Sequence, residues 1–244
     1  MTTADLCVCT ITLARDEQEA DLIRRGLQQL SSTGLRVIAA DGGSPAPFVQ
    51  FIRNLPRVSL VAMEGRGLVA QIRAALPAAA ALGTRFVLYT ESDKAQFFER
   101  HLADFIRRAP DADDIGVVLA SRTPESFATF PPLQRFAETA LAHLTAELTH
   151  HPADYSYGPF LLNTALAGRI DLVGDTLGWG WRHFMFGTAA RSGYRVTHVA
   201  GHYECPLDQR HEDERARVHR MRQLSQSVEG LVLAMTSAGD DRRK

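Results

Sequence analysis

Two kinds of apolar pattern alternate along the first hundred residues. Continuous apolar or β-branched runs, typical of strands buried on both faces, are separated by segments with apolar residues at helical spacing. The predicted strands cover residues 6–13, 35–40, 58–61 and 86–89. The predicted helices lie at about 20–30, 48–55 and 68–82, the last with a kink or break at Pro77. This alternation predicts parallel βαβ units.

The second half of the chain has a more mixed pattern. Helices are predicted at about 97–108, 133–148 and 215–234, and strands at 115–120 and 195–199. Residues 154–160 are predicted to form an aromatic loop. The expected fold class is therefore α/β, Rossmann-like, with a mostly parallel central sheet flanked by helices. One domain is expected, with halves at about 6–120 and 121–236.

Composition and charge exclude several classes of protein. The 244 residues are 45% hydrophobic, and 27 basic against 28 acidic residues give a net charge of -1, so no overall field attracts nucleic acid or an anionic membrane. No apolar run is long enough for a membrane span, and no signal-peptide pattern opens the sequence. Three cysteines without zinc-like spacing favour a reducing compartment, so a cytoplasmic location is expected.

Polar and glycine-rich segments follow the first four predicted strands. They are residues 15–17, 41–44, 65–67 and 91–93, and they would line the sheet edge where open α/β sheets bind ligands. Glu91 and Asp93 are two residues apart, and side chains at that spacing share one side of an extended chain. Such a pair suits a hard divalent cation, Mg²⁺ or Mn²⁺. The alternative is a surface turn with two solvated acids.

The order of these segments resembles that of GT-A-type nucleotide-sugar glycosyltransferases. Residues 12–17, TLARDE, resemble the PxxNE end of that family's first strand, and residues 37–44, VIAADGGS, resemble the end of its second. Gly65-Arg66-Gly67 with Ala70 and Arg73 resembles GxGxxxAxR. Residues 86–93, FVLYTESD, resemble the strand that ends in the DxD motif.

The resemblance implies a role for each of these segments. Asp41 would accept a hydrogen bond from the nucleotide base, with a turn aspartate as the alternative. Arg66 or Arg73 would reach the diphosphate, with a solvated helix face as the alternative. Asp93 and Glu91 would bind the metal, and Asp93 would also count as catalytic. The implied nucleotide-sugar contacts are Leu13, Arg15, Glu17, Asp41, Gly43, Gly65, Arg66, Arg73, Glu91 and Ser92.

One part of the second half departs from the inverting members of that family. Where those have an acidic pair, this chain has residues 180–184, GWRHF, without a carboxylate. His183 is then the candidate base, with a buried structural histidine as the alternative. In this respect the chain resembles a retaining group of GT-A enzymes, similar to mannosylglycerate synthase and glucosyl-3-phosphoglycerate synthase. That group has a metal-binding histidine after the last strand, which implies His202 or His211 here.

Aromatic side chains supply candidates for binding the acceptor. Tyr157, Trp179 and Trp181 could stack on sugar rings, and the alternative for each is a place in the core. Trp179 and Tyr157 are preferred because glycines lie beside them in predicted loops.

The expected function is metal-dependent transfer of a sugar from a GDP- or UDP-linked donor to a small hydroxyl or sugar acceptor, with retention as one outcome. A nucleotidyltransferase is an alternative, although residues 14–17 lack the glycine-rich basic loop that it needs after the first strand. A non-catalytic nucleotide-sugar-binding relative is the other alternative. Assembly into a homodimer is also left open.

Overall fold

The computed structural model describes residues 1–237. Within them the strands are β1 Leu6–Thr12, β2 Val37–Asp41, β3 Val58–Val61, β4 Phe86–Glu91, β5 Ile115–Arg122, β6 Phe160–Asn163 and β7 Arg195–Gly201. The helices are α1 Glu17–Ser32, α2 Ala46–Asn54, α3 Leu68–Ala80, α4 Ala95–Arg100, α5 Leu102–Arg108, α6 Pro124–Phe127, α7 Pro132–Thr149, α8 Gly180–Arg191 and α9 Glu214–Thr236. A 3₁₀ helix, Thr164–Leu172, follows β6.

The chain contains two compact units. The first is Met1–Ala109 with Pro159–Asp175, and the second is Pro110–Gly158 with the chain from Thr176 onward. The division differs from the predicted halves, because β5 belongs to the second unit and β6 to the first. The single domain expected from the sequence stays a prediction.

The first unit is built from βαβ repeats, as predicted. Its strands have the order β3-β2-β1-β4-β6. β1 pairs in parallel with β2 and β4, and β2 pairs in parallel with β3, whereas β6 is antiparallel to β4. All residues of β1 are buried, which explains its continuous apolar and β-branched sequence. Helix α3 continues through Pro77 instead of ending there.

Strand β6 was missed by sequence analysis, which placed Phe160 in an aromatic loop. The strand is only four residues long and completely buried, so it has no alternation of apolar and polar positions to mark it. The ring of Phe160 lies 5.3 Å from that of Tyr89 on the neighbouring strand β4.

The second unit combines a strand pair with three packed helices. β5 and β7 are parallel, and α8 packs against α7 and α9. The backbones of α8 and α9 touch, since a Cβ added at Gly180 would lie 2.0 Å from the carbonyl oxygen of Gln226. Helix α8 was not predicted: it is buried on all sides from Gly180 to Gly187, so no polar face shows its period.

No helix within residues 1–237 has both the length and the apolar composition that a membrane crossing requires.

Candidate functional site

The carboxyl ends of β1, β2 and β4 lie side by side in the first unit. Thr12 of β1 is in register with Asp41 of β2, and Ile11 of β1 is in register with Glu91 of β4. The prediction that the polar segments after these strands share one edge of the sheet is therefore confirmed.

The Asp41 carboxylate organises the loop after β2. Its Oδ1 accepts hydrogen bonds from Thr12 Oγ1 at 2.8 Å and Ser44 Oγ at 2.6 Å. Its Oδ2 accepts from the backbone N–H groups of Gly43 at 2.9 Å and Ser44 at 2.8 Å. A carboxylate has about four acceptor positions, so protein donors already use them. The turn role is thus realised, and the contact between Asp41 and a nucleotide base stays a prediction.

Two residues to which sequence analysis assigned no individual role connect this loop to its neighbours. Ser44 Oγ accepts from the N–H of Ala14 at 2.8 Å, which joins the loops after β1 and β2. Gln71 of α3 donates from Nε2 to the carbonyl oxygens of Thr12 at 2.7 Å and Ala40 at 3.0 Å. The sequence signal for Gln71 was a polar residue among the apolar residues of α3 that are buried.

The acidic segment after β4 is anchored by buried contacts. Ser92 Oγ donates to the carbonyl oxygen of Ile11 at 2.9 Å. Helix α1 passes directly over the segment, because a Cβ added at Gly26 would lie 1.9 Å from the Ser92 carbonyl oxygen. Glu91 is half-buried and Asp93 is exposed.

The backbone after Glu91 is not extended, which corrects the prediction that Glu91 and Asp93 lie on one side of an extended chain. Strand β4 ends at Glu91, and Ser92 and Asp93 form a turn, so the alternation of an extended chain does not set the direction of Asp93. The turn keeps Asp93 at the surface and Ser92 in the interior. The metal-binding role of Glu91 and Asp93 stays a prediction.

The two arginines predicted to contact the diphosphate have different surroundings. Arg73 is tied within the first unit, through Nη1 to Asp175 Oδ1 at 2.9 Å and through Nη2 to the carbonyl oxygen of Val173 at 2.6 Å. Arg66 is exposed in a loop in which Gly65 and Gly67 have φ of 86° and 92°, a conformation that favours glycine. The loop leads into the N-terminus of α3. Arg66 is therefore the better candidate for binding an anion.

The remaining predicted nucleotide contacts lie around the start of α1 and the loop after β2. Arg15 forms an exposed ion pair with Glu19 at 3.0 Å, and Glu17 pairs with Arg24. Leu13 is half-buried and Gly43 is exposed. The sequence assignments for these four residues stay predictions.

The second unit corrects the interpretation of His183 and Trp181. Both side chains are completely buried in α8, at 0% exposure, so the ring of Trp181 offers no face to a sugar. Thr145 Oγ1 donates to the carbonyl oxygen of Leu141, and it therefore accepts from His183 Nδ1, 3.2 Å away. Burial, with the nearby Arg182 charge, lowers the pKa of His183 to about 3. The neutral ring matches the structural histidine that the sequence left as the alternative.

The two preferred aromatic residues differ in how much of the ring is free. Tyr157 stacks on Tyr203, with ring centroids 4.6 Å apart and planes 11° apart. Trp179 is half-buried, and the guanidinium of Arg182 lies 5.1 Å from its ring centroid. Acceptor binding by Trp179 and Tyr157 stays a prediction, and the stack on Tyr203 leaves Trp179 as the stronger candidate.

The two histidines predicted as metal ligands are exposed residues between β7 and α9. His202 Nε2 lies 3.1 Å from Glu204 Oε1, and His211 follows a short 3₁₀ turn. No group of three or more His, Cys, Asp or Glu side chains in the described chain is arranged to hold a metal ion. Metal binding by His202 or His211 stays a prediction.

A buried ion network at the end of β5 was not found from the sequence. Arg122 donates from Nε to Asp154 Oδ2 at 2.6 Å and from Nη2 to Glu138 Oε2 at 2.6 Å. Burial alone would lower the pKa of Arg122, but the two carboxylates outweigh it and raise that pKa. Burial alone would raise the pKa of Asp154, yet Arg122 holds it below its usual value. Removing one partner would leave an uncompensated buried charge, so this network fixes the second unit around β5.

The fold is similar to that of several solved glycosyltransferases. Glucosyl-3-phosphoglycerate synthase from Mycobacterium tuberculosis, solved with Mn²⁺, UDP and phosphoglyceric acid, is 18% identical over 94% of this chain and 78% of that one, with a TM-score of 0.57. Mannosyl-3-phosphoglycerate synthase from Rubrobacter xylanophilus is 11% identical over 94% and 73%, with a TM-score of 0.61. This chain has the GT-A-type α/β fold.

A third similar structure has the same fold. The mannosyltransferase from Pyrobaculum calidifontis, in complex with GDP-mannose and Mn²⁺, is 17% identical over 95% of this chain and 73% of that one, with a TM-score of 0.52. No protein-family model matches the sequence, and no curated protein matches it. The GT-A resemblance inferred from four short motifs is thus confirmed at the level of the fold.

The hydrogen bonds to Asp41 predict a loss of stability in Asp41→Ala. The substitution leaves two backbone N–H groups and two hydroxyls without their shared acceptor, which should cost about 2 kcal/mol of unfolding free energy. Urea denaturation measures the change. Asp93→Ala is the matched control, because an exposed carboxylate should change stability by less than about 0.5 kcal/mol. Equal stability of Asp41→Ala and the native chain would contradict the turn role.

The buried neutral His183 predicts a pH-dependent stability. Its folded pKa, about 3, lies below the ordinary value of 6.5, so the unfolded chain binds more protons between these two pH values. Stability contributed by His183 is therefore complete above pH 6.5 and falls by about 1 kcal/mol per unit as pH decreases below it. Urea midpoints from pH 7 to pH 5 should fall less steeply in His183→Gln than in the native chain.

Replacing the exposed His143 by Gln is the control and should leave the native pH dependence unchanged. Parallel pH profiles of His183→Gln and the native chain would show that His183 is not buried in its neutral form.

Proposed function

We propose that this protein is a metal-dependent glycosyltransferase that moves a sugar from a nucleoside-diphosphate sugar to a hydroxyl acceptor. The observation that carries the proposal is the anchored acidic turn Glu91-Ser92-Asp93 beside the Asp41 loop, at the edge formed by β1, β2 and β4. Open α/β sheets bind their ligands at this edge. The fold adds support, because two of the similar solved structures contain Mn²⁺ together with UDP or GDP-mannose.

The donor atoms at the acidic turn fit a hard divalent cation. Glu91 and Asp93 offer carboxylate oxygens, the ligands that Mg²⁺ and Mn²⁺ prefer, and two carboxylates suit an ion that keeps waters and substrate phosphates in its shell. When bound, the cation would neutralise the charge on the departing nucleoside diphosphate. We assign these two carboxylates to the metal and keep Asp93 as the residue on which turnover depends.

The protein itself would position the donor. The Asp41 loop and Gln71 hold the ends of β1 and β2 rigid before any ligand binds, which reduces the cost of ordering the site. The exposed guanidinium of Arg66, next to the N-terminus of α3, would attract the diphosphate. Leu13 and Glu17 would border the base.

The surroundings of His183 favour retention of the anomeric configuration. An inverting transfer uses a base that removes the proton of the acceptor hydroxyl, and such a base works best with a pKa near the operating pH. His183 is completely buried and its pKa is about 3, so it does not suit that task. Residues 180–184 contain no carboxylate to replace it.

The donor is proposed to be GDP- or UDP-linked, and the acceptor a small hydroxyl compound or sugar. We also propose a reducing, cytoplasmic location, which the three buried free cysteines Cys7, Cys9 and Cys205 support. A nucleotidyltransferase is disfavoured because the segment after β1 caps α1 through Asp16, whose side chain accepts from the N–H of Glu19. It forms no glycine-rich phosphate loop.

Asp93→Ala tests the proposed function. We expect the release of nucleoside diphosphate from nucleotide sugars to fall at least about a hundredfold, because the metal loses a carboxylate ligand. The Asp93 side chain is exposed, so its removal should leave the fold intact. Nucleotide binding that depends on Mn²⁺ should weaken in parallel, as measured by calorimetry.

Asp171→Ala removes another exposed carboxylate of the first unit and serves as the control, with activity unchanged. Full activity of Asp93→Ala with Mn²⁺ would exclude the proposed metal site. Nucleotide-sugar binding by the native chain without diphosphate release would instead indicate a non-catalytic binding protein.

A further inference from the structure

Helix α9 carries exposed apolar side chains that its own unit leaves uncovered. Among the described residues, the exposed large apolar side chains lie mostly on α7 and α9. On α9 they are Val218, Met221, Val232 and Met235, between 46% and 59% exposed. Single exposed apolar residues need no explanation, but four on one helix do.

These side chains form one stripe. Val218, Met221, Ser225, Val228, Val232 and Met235 follow one another in alternating steps of three and four residues, which is the spacing of a coiled-coil seam. We call these six residues the outer stripe. The opposite side of α9 is the buried one, with Ser227, Gly230 and Ala234. Helix α9 therefore has an inner face that packs on its own unit and an outer face with the pattern of a helix partner.

The outer stripe borders a shallow, open depression along the first half of α9. It is lined by Glu214, Arg217, Val218, Met221, Arg222 and Ser225, all on this one helix. The apolar side chains among them, Val218 and Met221, could be covered by apolar side chains of a second helix. The second half of the outer stripe, Val232 and Met235, supplies side chains of that kind.

We propose that the outer stripe binds the outer stripe of a second copy of this chain, with the two α9 helices antiparallel. An antiparallel two-fold pairing centred between residues 226 and 227 places Val218 opposite Met235, Met221 opposite Val232, and Ser225 opposite Val228 of the second copy. The stripe is thus self-complementary, as a two-fold interface requires. At 1.5 Å per residue it extends over about 26 Å.

The charges beside the stripe select this direction. Arg222 and Glu229 flank it on the same side, one heptad apart. In the antiparallel pair each Arg222 faces Glu229 of the second copy, which gives two opposite-charge contacts. A parallel pair would instead bring Arg217 against Arg222 of the second copy, a repulsive contact at the position that governs pairing. The charge pattern therefore favours the antiparallel dimer and disfavours the parallel one.

The full chain tests this dimer by sedimentation velocity over a concentration series. The native protein should show a dimer that dissociates on dilution, since one helix pair is at the small end of stable interfaces. Met221→Asp should weaken dimerisation by about a hundredfold, because it buries a carboxylate in the seam. Leu172→Asp, at an exposed apolar residue outside the stripe, should leave the dimer unchanged. Circular dichroism verifies that each variant keeps its helices.

Reversal of the flanking charges tests the direction of pairing. Arg222→Glu should weaken the dimer, and Arg222→Glu combined with Glu229→Arg should restore it, since the opposite-charge contacts are re-formed with reversed signs. A native chain that is monomeric at every concentration would overturn the proposal. So would a dimer unaffected by Met221→Asp, and failure of the double reversal to restore it would overturn the antiparallel arrangement.

Discussion

The Asp41 carboxylate is the interaction on which the candidate site depends. It joins the last residue of β1, through Thr12, to the loop after β2, through Gly43 and Ser44. Ser44 passes the connection on to Ala14, and Gln71 binds both strand ends from α3. Because charge-assisted hydrogen bonds are among the stronger ones, the loop conformation is fixed by the fold itself and needs no ligand.

The acidic turn after β4 is fixed by a different constraint, which is close contact between backbones. Gly26 lets α1 approach the Ser92 carbonyl, and the Ser92 hydroxyl donates to β1. A turn held in this way keeps its inner residue buried and leaves Asp93 at the surface. Rigid support beneath an exposed carboxylate suits metal binding, because ligand positions must be held within a fraction of an ångström.

Sequence patterns predicted the first unit well and the second less well, for physical reasons. Strands β1, β2 and β4 are buried on both faces for nearly their whole length, and helices with a different period separate them, so two distinct periods mark this unit. Strand β6 and residues 180–187 of helix α8 are completely buried, and a buried segment has no polar face from which its period can be read. The GT-A resemblance depended on the ends of β1, β2 and β4, where the pattern is clear.

Individual side chains were harder to predict than elements. The residue type and position of Asp41 suited both a base contact and a turn, and only the positions of Thr12 and Ser44 decide how its acceptor sites are used. His183 suited both a base and a core residue, and its burial in α8 decides between them. The partners of Arg122 are 16 and 32 residues away in sequence, a separation that no local pattern encodes.

The proposed metal-dependent nucleotide site is tested most directly by the melting temperature of the native protein with UDP or GDP, each with and without Mn²⁺. A ligand at a hundred times its dissociation constant adds about 2.7 kcal/mol of stability, which for a chain of this size corresponds to about 5 to 10 °C. A rise of this size is expected for at least one nucleotide, and only when Mn²⁺ is present. No rise with either nucleotide, or the same rise without Mn²⁺, would contradict a metal-dependent nucleotide-sugar site at the edge of β1, β2 and β4.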